Sequence, residues 1–336
     1  MEQRMLGRTG ARLSLLGFGC GAVGGLMVRG APGDQERAIA RALELGINYF
    51  DTAPAYGDGA SEEALGRVLR KLRPEIFLGT KFTILPADRG RLGAAITASL
   101  EQSLRRLGRA QVDLLQLHNR ISREGDDRPL DASTVIEEVA PALDRLRRQG
   151  KIRFCGITAL GDTPSLRQVI EARAFDTAQI CLSLLNPSAV AALPPGFPAQ
   201  DFEGLANRAR AAGMGTIGIR ILAGGALSGS EMRHPVGAAS VAPIASGPDY
   251  RTDAARARLF EALVRSGHAA SLIEAALRFV ISNEAMTTVL VGTSTIDQLE
   301  TAAASINKGP LPKAALDQLA ALWRTLAADS RSPSGR

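Results

Sequence analysis

The chain has 336 residues, 45% of them hydrophobic, and a net charge of +6, with an isoelectric point of about 9.6. No stretch reaches the roughly 18 uninterrupted apolar residues of a membrane span, and the opening MEQRMLGRTG has no apolar signal region, so a soluble, cytoplasmic protein that meets no membrane is expected. The arginines are spread over helix-patterned segments such as SLRRLGR and LDRLRRQG without aromatic interleaving, which excludes a nucleic-acid partner in favour of solvated helix faces.

In chain order, RMLGRTGARLSLL reads as a hairpin around Gly7-Arg8-Thr9-Gly10 that covers one end of a barrel. Strand character follows at 13–20, 47–53, 76–82, 112–119, 152–158, 179–184, 215–222 and 287–293. Most of these are near-continuous apolar runs, as in strands buried on both faces of a parallel sheet. Between them lie segments of helical period. DQERAIARALELG closes on Gly46, and SEEALGRVLRKL opens on Ser61 as an N-cap with two acids behind it. AAITASLEQSLRRLG, STVIEEVAPALDRLRRQG, TPSLRQVIEAR, EGLANRARAAG, SLIEAALRFVISNE and IDQLETAAASI continue the series.

Eight strand–helix alternations with right-handed crossovers predict a (β/α)8 TIM barrel of the α/β class. A doubly wound open sheet is the alternative, weakened because GFGCGAVGG does not run directly into a helix. No linker divides the chain, so residues 1–336 read as one domain, with a long Gly/Pro/Ser-rich loop at 223–253 and a disordered tail at 329–336. Cys20, Cys155 and Cys181 have neither disulfide nor zinc spacing, and Cys155 and Cys181 sit in apolar runs as small core residues.

The chemistry of such a barrel lies at the C-terminal ends of its strands. There the sequence offers Asp51, then Tyr56 in the next loop, Lys81 in FLGTKF and His118 in LLQLHN. Lys81 is one of only five lysines among 40 basic residues. A tyrosine hydroxyl titrates at about pH 10. An ammonium beside it is expected to lower that value, while Asp51 keeps the lysine charged. Tyr56 then acts as general acid/base, and His118 hydrogen-bonds the carbonyl oxygen. No metal set is visible and no nucleophile stands beside a base, so the hydride is expected from a cofactor.

At these residues the sequence resembles the aldo-keto reductase family. The matching strings are LGRTGARLSLLGFG, GINYFDTAPAYGDGASEEALGRVL, FLGTKF, VDLLQLHN, GKIRFCGIT and VLVGTSTIDQLETA. The resemblance implies NADP- or NAD-dependent interconversion of an aldehyde or ketone and its alcohol, with Tyr56 as acid/base, Lys81 as its modulator, Asp51 as the partner of Lys81 and His118 as orienter. It implies cofactor contacts at Gly19, Cys20, Asp51, Thr158, Gln179, Arg220, Leu222, Gly224, Gly292, Thr293, Ser294 and Gln298, and no metal.

Departures from the family pattern are specific. Ile219 or Arg220 stands where an aromatic is usual, Ala159 replaces an Asn, and Thr301-Ala302 replaces Glu-Asn. No basic residue lies between Val291 and Asn307 to meet a 2′-phosphate. Gly21 and Asn119 replace bulky aromatics, which is expected to widen the pocket. Two other functions are open: a Schiff-base lyase using Lys81, and a non-catalytic nucleotide-binding regulatory subunit. The substrate is read as a small-molecule carbonyl or alcohol, with a bulky or sugar-like carbonyl expected from the wider pocket, and the oligomeric state is not legible.

Overall fold

The apolar runs pair edge to edge in the computed structural model, which describes residues 1–123, 130–230 and 232–329. Eight parallel strands are formed: β3 (Leu16–Gly19), β4 (Tyr49–Asp51), β5 (Phe77–Phe82), β6 (Val112–Leu117), β7 (Ile152–Thr158), β8 (Thr177–Cys181), β9 (Gly215–Ile219) and β10 (Thr288–Gly292). They follow one another around a closed barrel, and β10 pairs with both β9 and β3. That closure excludes the open sheet and gives the (β/α)8 barrel that the alternation predicts.

An antiparallel hairpin, β1 (Gln3–Met5) with β2 (Arg12–Ser14), precedes the barrel. Leu13 and Ser14 therefore belong to the hairpin, and the first barrel strand starts later than position 13. Arg4 donates to the carbonyls of Ile281 and Met286 at 3.0 and 2.9 Å, and Arg8 to that of Phe175 at 2.7 Å. These acceptors lie just before β10 and β8, so the hairpin closes the N-terminal end of the barrel. Leu6 and Leu13 pack there against Tyr49, Phe77, Leu114 and Ile217.

Some boundaries differ from the sequence pattern for local reasons. β8 is shifted toward its start. β9 stops at Ile219 rather than at 222, because Arg220 turns into left-handed backbone (φ 59°) and a 3-10 stretch, Ala223–Ser228, follows. The helix Ala60–Leu72 is entered from Gly59. Ser61 is not its cap, since its hydroxyl is used between the Cys20 carbonyl and Thr52 Oγ1. Over Val135–Val139 the helix widens to a π-turn, just before Pro141, which has no N–H to return to the preceding turn. Within the long loop, Tyr250–Ala257 is helical. Asp329 ends the last helix, Lys313–Asp329, and the rest of the expected tail lies outside the described residues. All three cysteines are free and buried.

Candidate active site

β4, β5 and β6 carry the polar set to the mouth, because their register places Asp51 opposite Gly79 and Lys81 opposite Gln116. Lys81 is 1% exposed. Its ammonium donates to Asp51 Oδ1, to the Thr52 carbonyl at 2.9 Å and to Tyr56 Oη at 3.1 Å. It also stands 4.8 Å from the centre of the Tyr56 ring. His118 meets the same ring edge-on, with centroids 5.8 Å apart. The four side chains therefore converge, with Tyr56 and His118 partly open to solvent and Lys81 and Asp51 sealed beneath them.

The other oxygen of Asp51 is tied down by three donors. Tyr49 Oη lies at 2.8 Å, Gln116 Nε2 at 3.0 Å and Gln179 Nε2 at 2.8 Å. Tyr49 and Gln116 are absent from the sequence-derived set. The period-two signal was present: Tyr49 shares a strand face with Asp51, and Gln116 lies two residues before His118. A polar residue in mid-strand of a barrel needs an interior partner.

Electrostatics follow from burial. Desolvation works against the Lys81 charge, but Asp51 and then Tyr56 outweigh it and hold the ammonium well above the usual lysine range. Tyr56 departs from expectation. Burial raises its pKa above 10 and outweighs the lowering effect of Lys81, while Asp51 adds to the rise. The lysine limits that rise rather than reversing it. Burial first, then Lys81, pushes the His118 imidazole down to about 3, so it is neutral. Burial and Asp51 hold Tyr49 protonated as well.

The remaining predicted residues fall in four groups. Gly19 ends β3, and Cys20 is buried with its carbonyl taken by Ser61. Thr158 donates to the Leu117 carbonyl at 2.8 Å, and Gln179 turns to Asp51, so both side-chain donors are already used. On the β10 side, Gly292 is exposed at the strand end. The Ser294 hydroxyl donates to the Gly24 carbonyl at 2.6 Å, and Gln298 Oε1 accepts from the Ser294 amide at 2.8 Å. Leu222 and Gly224 belong to the turn after β9, with Gly224 at φ 67°.

The loop after this turn crosses the mouth. The Ala238 amide donates to the Val23 carbonyl at 3.0 Å, and Arg29 Nε to the Val236 carbonyl at 2.7 Å. Gly21 and Asn119 flank this mouth in different ways. A Cβ at Gly21 would touch the Tyr56 ring at 3.7 Å, and the Asn119 amide is locked to the amide and carbonyl of Ile84 at 2.8 and 2.9 Å. Among the described residues, no group of three or more His, Cys, Asp or Glu is placed to hold a metal. No helix there is long and apolar enough to cross a membrane.

The closed barrel, with Lys81, Asp51, Tyr56 and His118 gathered at its C-terminal mouth, defines a (β/α)8 protein with a polar cluster at that end. The profile of the Aldo/keto reductase family matches residues 15–324, and the chain belongs to this family of oxidoreductases. It is 28% identical over 317 residues to L-galactose dehydrogenase of Arabidopsis thaliana, covering 92% of this chain and 89% of that one. It is also 28% identical over 334 residues to L-glyceraldehyde 3-phosphate reductase of Escherichia coli K12, covering 91% and 88%. The holo form of aldo-keto reductase AKR11C1 from Bacillus halodurans superposes with a TM-score of 0.69 over 97% of this chain and 96% of that one, at 24% identity, a likeness of fold.

Proposed function

We propose that the protein interconverts an aldehyde or ketone and its alcohol with a nicotinamide dinucleotide, Tyr56 serving as general acid/base. The observation that carries this is the Lys81 ammonium held between Asp51 and Tyr56 Oη. A proton leaving the phenol toward a forming alkoxide leaves a phenolate next to a fixed cation, which lowers the cost of the transfer. With its pKa above 10, Tyr56 stands protonated at neutral pH, the state required for reduction. Neutral His118 keeps one ring N–H to orient the carbonyl oxygen.

The residues toward β10 fit a dinucleotide. Gly19 and Gly24 let backbones approach closely; a Cβ at Gly24 would lie 2.4 Å from Gly292 C. The helix Ile296–Asn307 starts beside Thr293 and Ser294, with its positive end available to a phosphate. Gly292, Thr293, Ser294 and Gln298 would hold the adenosine phosphate part. Gly19, Cys20, Leu222 and Gly224 would line its path, and Thr158 and Gln179 would flank the carboxamide beside Asp51. When bound, the dinucleotide supplies or accepts the hydride. The loop over the mouth would close on it and exclude water. With no basic residue from 291 to 307, NAD or NADP is to be decided by titrating each.

The lyase alternative needs an amine lone pair at Lys81, yet that nitrogen directs its three N–H groups at three acceptors and holds its proton. Borohydride with substrate is expected to leave no adduct at Lys81. The regulatory alternative predicts nucleotide binding without turnover. Tyr56→Phe is the direct test: carbonyl reduction should fall by about 10²–10⁴-fold, while the nucleotide dissociation constant, read by fluorescence titration, stays within about twofold. Near-wild-type turnover by this variant would remove Tyr56 from the mechanism.

A further inference from the structure

Behind the Lys81–Asp51 pair lies a layer of buried donors. Asp51 meets Lys81 through Oδ1, and its Oδ2 receives the Tyr49 hydroxyl and the Gln116 and Gln179 amides. Tyr49 and Gln116 are both 0% exposed. Among the described residues neither hydrogen-bonds Tyr56 or His118, so they reach the reacting end through Asp51.

The backbone makes room for this layer. Tyr49 and Asp51 share one face of β4, two residues apart, and β5 sets Gly79 beside Asp51. A Cβ at Gly79 would lie 3.1 Å from Tyr49 Oη and 3.4 Å from Asp51 Oδ2, so the glycine clears the line between phenol and carboxylate. β6 sets Gln116 beside Lys81, and β7 sets Gly156 beside Gln116. A Cβ at Gly156 would lie 3.2 Å from Gln116 Cγ and 2.1 Å from Thr177 Oγ1. The Gln116 Oε1 is buried without a partner among the described residues, which is destabilising. Turning the amide over would aim that oxygen at the Asp51 carboxylate, so the contact from Nε2 to Asp51 is what fixes it.

The consequence lies in how the Lys81 ammonium divides its N–H groups. They go to Asp51 Oδ1, the Thr52 carbonyl and Tyr56 Oη. A carboxylate free to rotate would offer both oxygens to the ammonium and draw it off the phenol. With Oδ2 fixed, one N–H remains for Tyr56. The donors also spread the negative charge of Asp51, which opposes Lys81 at Tyr56. Besides Lys81 and Asp51, the groups acting on the phenol are Cys20 after β3, Arg220 after β9 and Tyr49 on β4, with His118 after β6 edge-on to the ring. Of these, only Tyr49 hydrogen-bonds Asp51.

We propose that Tyr49 and Gln116 are positioning residues for proton transfer: by fixing Asp51 Oδ2 they keep Lys81 aimed at Tyr56 Oη. This rests on the carbonyl-reductase reading above and adds to it a layer that meets neither substrate nor nucleotide. Gln179, the third donor, also flanks the proposed carboxamide position, so the test uses the other two.

Tyr49→Phe and Gln116→Met each remove one donor and nearly keep the volume. The first readout needs no substrate. The chain has three tyrosines, and phenolate absorbance is followed with rising pH as the difference between each background and the same background carrying Tyr56→Phe, at every pH where circular dichroism shows the barrel folded. In both variants the Tyr56 titration should move up by about half a pH unit to one pH unit. The second readout is reduction of a panel of aldehydes and ketones at neutral pH, where kcat should fall by about 3–30-fold while KM for carbonyl and nucleotide stays within about twofold. A lower Tm alone is the mark of a merely structural role. An unmoved or downward titration overturns the proposal whatever becomes of kcat or Tm, and so does an unchanged kcat. If Tyr49→Phe does not fold, Gln116→Met decides. Failure of the wild type to reduce any carbonyl would sink the redox reading, and the phenol titration by itself then upholds or overturns the role of Tyr49 and Gln116.

Discussion

At the scale of single residues, Lys81 and Asp51 form a charge pair that is almost wholly removed from water. Breaking such a pair from one side strands the other charge. Lys81→Met should therefore lower the unfolding free energy by about 3–5 kcal/mol, measured by urea denaturation. The double variant Asp51→Asn with Lys81→Met should regain part of that loss, because no uncompensated charge remains. The two titrating rings set the pH behaviour. Tyr56 is held above 10, so reduction should be flat from mildly acid to mildly alkaline pH, while alcohol oxidation, which needs the phenolate, should rise with pH. His118 is depressed from 6.5 to about 3 and gives no inflection near neutrality. Its neutral state favours the fold above pH 6.5, and that contribution fades as pH falls from 6.5 toward 3. His118→Asn should show a shallower loss of Tm across this window than the wild type.

At the scale of elements, Gly66 shows how a contact reverses a propensity. It lies inside the helix Ala60–Leu72, where alanine ordinarily gains about 1 kcal/mol. A Cβ there would sit 2.3 Å from the Arg106 carbonyl oxygen. Gly66→Ala should thus lower Tm, with about 1–3 kcal/mol lost to overpacking. The loop over the mouth is held at two partly buried points: Asn186 donates to the Ala245 carbonyl, and the Ser246 hydroxyl to Asp253 Oδ2. The other oxygen of Asp253 has no partner among the described residues, and burial raises the carboxyl's pKa. Ser246→Ala removes the remaining hydroxyl donor. It should increase amide hydrogen exchange at 242–247 without altering exchange in β4–β6.

At the scale of the whole molecule, the two ends of the barrel do different work. The N-terminal end is a plug built from Leu6, Leu13, Tyr49, Phe77, Leu114 and Ile217. Leu13→Ala, at the far end from Tyr56, should cost about 2–5 kcal/mol in stability and leave KM for carbonyl and nucleotide within experimental error. A change in KM as large as the change in stability would show that the plug and the mouth are coupled.

Much of this was legible in the order of residues. Alternating strand and helix patterns determined the barrel, because both periods are local properties of the chain. The strand ends therefore announced where Asp51, Lys81 and His118 would stand. The fate of the Ser61 hydroxyl was not legible, since it is spent on Cys20, 41 residues away, and the end of β9 was set by the left-handed turn at Arg220; Tyr49 and Gln116 carried a period-two signal, but their shared partner Asp51 appears only on folding. Only the tertiary structure decided that burial outweighs Lys81 at Tyr56 and that the Asn119 amide is held by Ile84. Desolvation and pairing are sums over neighbours brought together by folding, and no local pattern contains them.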